Sequence, residues 1–402
     1  MGQRRKNDDS DQEVGVSEVA LQPLYTDGLT RATLACEDIF NKICTSKYNP
    51  FYYHGALPQF FLWVLFLSGL LLFAYYVPTI DNAYASERLI NSYTSVRYIT
   101  DTIPFGYVIR GIHRYAGDAM VLTILLHALR VWFTDRYRQY RIVQWLSGIV
   151  LLGLVFIIGQ TGYYLVWDER SLILTRMTVA SFDALGPIGE PLKWWFLNGR
   201  AVTNFTLANF LFIHIGLSFS LLFGLWIHYV RMQRPVMTPP PVINYILFGL
   251  VALSVFLFPV DLGKMANPAV PGTEFNVDWF FLWPYALMSV TDPRVFWALI
   301  AIVSFLSCYL PYFIKTRPVL SAEVVDNKCT GCSLCSKDCP YAAIEMVPAP
   351  AGSRFKLLAT VMPYRCSGCG VCVGACAFDA IDLPDLLDTD VTAKIKALAQ
   401  QA

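Results

Sequence analysis

GYVIRGIHRYAGDAMVLTILLHALRVWF, residues 106–133, is a long, dominantly apolar stretch carrying two histidines, His113 and His127, fourteen residues apart. A segment of that length crosses the roughly 30 Å hydrocarbon core of a bilayer as one helix. At 100° per residue the two imidazoles return to within roughly 40° of each other, about 21 Å apart along the axis. The stretch 204–231 repeats the arrangement with His214 and His228, so four of the chain's five histidines fall in two matched pairs. A single intramembrane histidine is explained by a hydrogen bond between helices. Four at one spacing are not, because ionisable groups inside a span are costly and mark function. Two such helices side by side would bracket two haems stacked across the membrane. Two imidazoles per iron leave no open position for oxygen, which suits electron transfer.

Further apolar stretches at 57–77, 142–164, 242–260 and 294–314 bring the expected spans to six. With 55% hydrophobic and 15% charged residues among 402, the chain is too apolar for an ordinary soluble protein. Arg136, Arg138 and Arg141 follow the second span, Arg231 and Arg234 the fourth, and Lys315 and Arg317 the sixth. The opposite connections, 78–105, 165–203 and 261–293, mix acids and bases, so the basic loops and both termini are expected on the cytoplasmic side of the cell (inner) membrane. Residues 1–33 read as a cytoplasmic tail. Arg4, Arg5 and Lys6 there stand beside Asp8, Asp9, Asp11 and Glu13, without the apolar run of a secretory signal.

Past the last span the sequence turns polar and repeats itself. Cys329-x2-Cys332-x2-Cys335-x3-Cys339 recurs 37 residues later as Cys366-x2-Cys369-x2-Cys372-x3-Cys376, each followed two residues after its last cysteine by an aromatic or alanine-rich turn, Tyr341-Ala342-Ala343-Ile344 and Phe378-Asp379-Ala380-Ile381. That spacing is the ligand set of two iron–sulfur clusters. Zinc competes for pairs of C-x2-C, but three cysteines at successive x2 gaps and a fourth at x3, duplicated, favour iron–sulfur chemistry. Thiolates must stay reduced to hold clusters, which places this domain in a reducing compartment by an argument independent of loop charge.

Glycines support the histidine reading: Gly55 and Gly69, and Gly148 and Gly162, are also fourteen apart, and a missing side chain lets a flat macrocycle lie against a helix. Spaced glycines alone fit helix packing equally well. Arg110, Arg114 and Arg130 flank the histidines and could pair with haem propionates or anchor in the headgroup layer. His54, at the start of the first span, has no counterpart and reads as interfacial.

With these residues in place, the chain resembles the cytochrome b family, the core of Rieske/cytochrome b complexes. Arg110-x2-His113-Arg114, His127-x2-Arg130 and Thr161-Gly162-Tyr163 leading to Trp167-Asp168 carry the resemblance, over roughly residues 34–315. It implies that His113 and His214 ligate one haem b on the outer side, and His127 and His228 a second on the cytoplasmic side. Where part of the family attaches an additional haem through a cysteine, this chain offers Tyr53, which argues against a covalent third haem. The family's Pro-Glu-Trp-Tyr motif, whose carboxylate takes a proton from quinol, corresponds to Val277-Asp278-Trp279-Phe280. Asp278 is thus a candidate catalytic proton acceptor, and equally a helix cap. The C-terminal domain resembles bacterial two-cluster ferredoxins. By that resemblance Cys329, Cys332, Cys335 and Cys376 hold one 4Fe-4S cluster, and Cys366, Cys369, Cys372 and Cys339 the other.

The fold expected is an all-α transmembrane helix bundle, six spans around a dihaem four-helix core, with a small α+β ferredoxin-like domain. Its units are the tail at 1–33, the dihaem domain at 34–235, a two-span quinone-site domain at 236–317 and the two-cluster domain at 318–402. The expected function is electron transfer between a quinone (menaquinone or ubiquinone), the haems and the clusters. Its alternative is a haem-bearing anchor and conduit for a soluble dehydrogenase. The implied partners are Rieske-type or cytochrome c-type subunits, a cytoplasmic redox partner and a second copy of the chain as a homodimer. No Gly-x-Gly-x-x-Gly turn points to a nicotinamide or flavin site, and no basic stripe points to nucleic acid.

Overall fold

A computed structural model of the chain describes residues 28–80, 83–85, 88–133, 137, 141–199, 201–230, 236–269, 278, 280–313, 321–366, 368 and 370–383. Most of the expected tail, the basic residues Arg136, Arg138, Arg231, Arg234, Lys315 and Arg317, and Trp279 and Cys369 lie outside the described residues.

The chain enters through α1 (Gly28–Tyr48), whose helix is broken at Thr45, and a 3-10 turn at Pro50–Tyr53 leads into α2 (Ala56–Phe73). A hairpin of β1 (Ala83–Ala85) and β2 (Arg88–Ile90) precedes α3 (Ser92–Asp101). Then follow α4 (Gly106–Phe133), α5 (Ile142–Val166), α6 (Glu169–Phe182), α7 (Gly189–Leu197) and α8 (Asn204–Tyr229). The helical part closes with α9 (Pro241–Leu257), α10 (Trp283–Val290) and α11 (Pro293–Phe313).

Polar side chains set where several of these helices begin. Asn91 with Thr94, Asp168 with Ser171 and Thr203 with Thr206 each form a reciprocal capping box at the starts of α3, α6 and α8. The long helices pack in two side-by-side pairs, α2 with α4 and α5 with α8. Phe61, Ala116, Val121, Val155 and Leu221 fill the seam between the pairs. Outward faces keep large apolar side chains such as Leu67, Phe212, Phe223 and Ile246 exposed, as a lipid-facing surface requires.

Among the described residues, α2, α4, α5 and α8 are the four helices long and apolar enough to cross a membrane. Of the two later expected spans, α9 is a shorter apolar helix, and the apolar stretch counted within α11 is Pro293–Tyr309. The 17 residues of α9 rise about 26 Å, less than the hydrocarbon core. Pro240 and Pro241 start that helix, and the chain leaves it at Phe258.

The C-terminal unit is a small duplicated α+β domain: β3 (Glu323–Val324), α12 (Leu334–Asp338), β4 (Ile344–Pro348), β5 (Leu357–Val361), α13 (Val371–Ala375) and β6 (Ile381–Asp382). Strand β3 pairs antiparallel with β6, and β4 with β5, so the last strand closes back on the first. The repeat extends to the backbone. Gly331 and Gly368, 37 apart, both adopt left-handed φ, 67° and 66°, and a Cβ at Gly331 would collide with the Leu357 carbonyl.

Candidate functional site

The helix pairing turns the fourteen-residue spacings into contacts. A Cβ built on Gly69 would lie 3.1 Å from His113 Cε1, and one on Gly55 3.4 Å from His127 Cε1; across α5 and α8, Gly162 meets His214 at 3.2 Å and Gly148 meets His228 at 3.5 Å. Each spaced glycine therefore lies against one histidine ring. The missing side chain makes room for the imidazole first, a more specific role than accommodating a macrocycle or close helix packing.

The residue before the glycine supplies the next contact. Ser68 Oγ lies 3.0 Å from His113 Nδ1, Ser147 Oγ 2.9 Å from His228 Nδ1, and Thr161 Oγ1 3.1 Å from His214 Nδ1. All three hydroxyls donate their own proton to backbone carbonyls of the preceding turn: Ser68 to Val64, Ser147 to Gln144 and Thr161 to Ile158. Each is thereby left to accept from the imidazole. His214 Nδ1 also lies 2.9 Å from the Ile158 carbonyl, an acceptor only, so this nitrogen carries the ring proton. Nε2 is then the unprotonated nitrogen, the form in which imidazole binds a metal.

The rings of His113 and His214 face each other with centroids 6.4 Å apart. Two imidazoles each about 2 Å from one shared metal leave centroids on the order of 6 Å apart, so this pair fits a single bridging iron. His127 and His228 lie at the opposite end of the same helices. There the residue before Gly55 is His54, which is 5% exposed, and among the described residues its Nδ1 has no hydrogen-bond partner. His54 is buried within the protein, because the turn at Pro50–Tyr53 folds its ring inward against Phe51.

The arginines have protein partners. Arg110 Nη1 donates to the Val260 carbonyl at 2.8 Å, and Arg130 forms a buried ion pair with Glu37 of α1 at 2.7 Å. Arg114 reaches Asp118 at 2.5 Å and Asp278 at 3.1 Å, and donates to the Tyr163 hydroxyl at 2.7 Å. Tyr163 in turn donates to Asp278 Oδ2. The other oxygen, Oδ1, accepts from the backbone N–H groups of Phe280 at 3.2 Å and Leu282 at 2.7 Å. Asp278 thus organises the turn leading to α10 and also belongs to an acid–phenol–guanidinium cluster beside the His113 level.

In the C-terminal domain one cavity is lined by Cys329, Cys332, Cys335 and Cys376. A second is lined by Cys339, Cys366 and Cys372. The last cysteine of each run therefore sits with the other run. Among the described residues no three His, Cys, Asp or Glu side chains converge tightly enough for one metal ion. Cysteines spaced around a cavity suit a multi-iron cluster better than a single zinc ion. The repeat also matches at the sulfurs: Ala343 N–H donates to Cys339 Sγ and Ala380 N–H to Cys376 Sγ, both at 3.3 Å. Burial pushes the Cys335 thiol up, which favours its protonated form in the protein alone.

The sequence reading did not single out Ser68, Ser147, Asp118 or Glu37, and it noted Tyr163 only within a motif. The serines carried a usable signal, since each directly precedes a spaced glycine.

Residues 39–236 match the family Cytochrome b/b6/petB, and residues 328–380 match the 4Fe-4S dicluster domain. The chain is 30% identical over 191 residues to the menaquinol:cytochrome c reductase cytochrome b subunit of Geobacillus thermodenitrificans, covering 47% of this chain and 81% of that protein. It is 28% identical over 205 residues to cytochrome b6 of Synechococcus elongatus, covering 51% and 91%. The fold is similar to a solved hyperthermophilic respiratory Complex III, with a TM-score of 0.53, at 20% identity over 68% of this chain and 80% of that one.

Proposed function

The chain belongs to the cytochrome b family and carries a C-terminal 4Fe-4S dicluster domain, and on that premise we propose that it is the membrane electron-transfer subunit of a quinol (quinone) oxidoreductase complex. In this reading it joins the quinone pool to two cytoplasmic clusters through two b-type haems, and α9 and α11 complete six spans. The observation that carries the reading is the Nδ1–H···O=C geometry of His214, which leaves Nε2 unprotonated in a ring whose centroid lies 6.4 Å from that of His113. Bound haem and iron–sulfur groups would supply the one-electron steps.

The chain's own residues do the rest. Ser68, Ser147 and Thr161 orient the imidazoles and hold their tautomer. Crossed cysteine sets hold one cluster in each cavity, and the backbone N–H groups at Cys339 and Cys376 soften charge on sulfur. Asp278 accepts a proton from quinol at an outer site, where Arg114 stabilises the carboxylate and the Tyr163 hydroxyl gives the proton a neighbouring oxygen to move through. Rieske-type or cytochrome c-type subunits, a cytoplasmic donor or acceptor and a second copy of the chain complete the assembly.

A second reading has one specific support: both oxygens of Asp278 already accept hydrogen bonds, as expected for a purely structural carboxylate. The chain would then be a haem-bearing conduit for a soluble dehydrogenase without quinone chemistry. Addition of a quinol to the purified protein under anaerobic conditions decides between them. Rapid reduction of the haem absorbance bands is expected, and haems that stay oxidised would overturn the quinone assignment.

A further inference from the structure

Arg141 entered the sequence reading only as one of several basic loop residues. In the structure it directly precedes α5, and its guanidinium carbon lies 3.8 Å from the ring centroid of Tyr341 in the C-terminal domain. Both residues are half-buried. Arginine stacks on aromatic faces through its planar charge, so a contact this close is an attractive one.

Its placement is informative at both ends. On the bundle side, α5 begins at Arg141, and Gly148, which lies against His228, is seven residues further on, about 10 Å of helix rise. Helix polarity puts His127, His228, Gly55 and Gly148 all at this end. On the other side, Tyr341 lines the cavity of Cys339, Cys366 and Cys372 and is absent from the lining of the other. The other cavity is bordered by Cys332, which is exposed, and by Phe378, which is 49% exposed.

We propose that the Arg141–Tyr341 contact sets the order of the electron route. The cavity of Cys339, Cys366 and Cys372 faces the bundle and exchanges electrons with the His127/His228 level. The cavity of Cys329, Cys332, Cys335 and Cys376 is the port for a soluble one-electron carrier. The electron-transfer part of this inference rests on the function proposed above, whereas the docking itself does not. Each crossing moves one electron and no proton: one cluster is oxidised by one electron as one haem iron goes from ferric to ferrous, and the reverse flow is the same step backwards.

The test places a photo-crosslinker in the full chain in native membranes. Tyr341→p-benzoylphenylalanine should crosslink to the peptide containing Arg141, and Phe378→p-benzoylphenylalanine should not. A crosslink from position 378 to that peptide, or none from position 341, overturns the order. In the loaded protein, Arg141→Gln should slow haem reduction from the clusters at least fivefold, while Arg141→Lys, which keeps a cation over the ring, should slow it less than twofold. Haem reduction by quinol should be unchanged in both variants. Equal cluster-to-haem rates in Arg141→Gln and the unaltered chain would also sink the proposal. If quinol fails to reduce the haems of the unaltered chain, the proposed function fails, and the crosslink still reports docking.

Discussion

At one level of the bundle His113 and His214 each meet a hydroxyl at Nδ1, from Ser68 and Thr161; at the other, His228 meets Ser147, while the position before Gly55 holds the buried His54. The glycines are alike at both levels, so the repeat builds the two histidine seats in one way. The surroundings differ. The first level adjoins the cluster of Arg114, Asp118, Tyr163 and Asp278, two carboxylates joined to a phenol and a guanidinium. The second adjoins the buried Glu37–Arg130 pair, which ties α1 to α4, and the Arg141 contact with the C-terminal domain. Equal seats with unequal edges indicate that the repeat supplies cofactor geometry while the neighbours assign each level its role.

The strongest way to break this comparison is to remove the seats. His113→Ala and His214→Ala should each lower haem content by half, measured as pyridine haemochrome, and delete the same component of the intact protein's reduced-minus-oxidised spectrum, and His127→Ala and His228→Ala the other. Loss of different components within a pair would show that the levels are not built as described.

Next in size is the edge of the first level. Asp278→Asn should slow quinol-driven haem reduction by about 100-fold, the lower end for a lost general base, with haem and cluster content intact. Asp278→Glu should retain substantial activity. An unchanged rate in the asparagine variant across pH would leave Asp278 as the holder of the turn before α10.

The glycines sharpen the comparison through distance. Gly69→Ala, with its Cβ at 3.1 Å from His113, should cost about 1–3 kcal/mol and weaken haem retention, whereas Gly148→Ala, at 3.5 Å from His228, should be nearly neutral. Thermal release of haem from the two variants measures the difference, and equal release temperatures would contradict it.

The smallest effect concerns the hydroxyls. A histidine that donates from Nδ1 gains anionic character and favours ferric iron. Thr161→Val or Ser147→Ala should therefore raise the midpoint potential of the corresponding haem by roughly 20–60 mV, the worth of one net hydrogen bond for a one-electron couple. A spectroelectrochemical titration reads the shift, and a fall would show that the hydroxyl donates to the ring.

The legible parts of the chain were those written locally. The four long helices, the histidine and glycine intervals and the duplicated cysteine runs are periodic along the sequence, and a helix or a tight loop turns such periods directly into geometry. The C-terminal end of α9 was not legible, since apolarity continues beyond Leu257, where the helix stops. The cluster around Asp278 was not legible either. It gathers Arg114 from α4, Tyr163 from α5 and a loop residue more than a hundred positions later, and no local pattern encodes that meeting. Arg130 offered two readings from sequence, and neither named Glu37, which reaches it from a helix before the first span.

The central claim is that one polypeptide carries electrons between a low-potential carrier and quinone through two clusters and two histidine pairs. Its most direct test is anaerobic rapid mixing of the purified protein with a low-potential one-electron donor and excess quinone, following cluster and haem signals together. The clusters are expected to reduce first, the haems to follow, and quinol to accumulate in proportion to donor consumed. Clusters that reduce fully while the haems stay ferric and no quinol forms would contradict it.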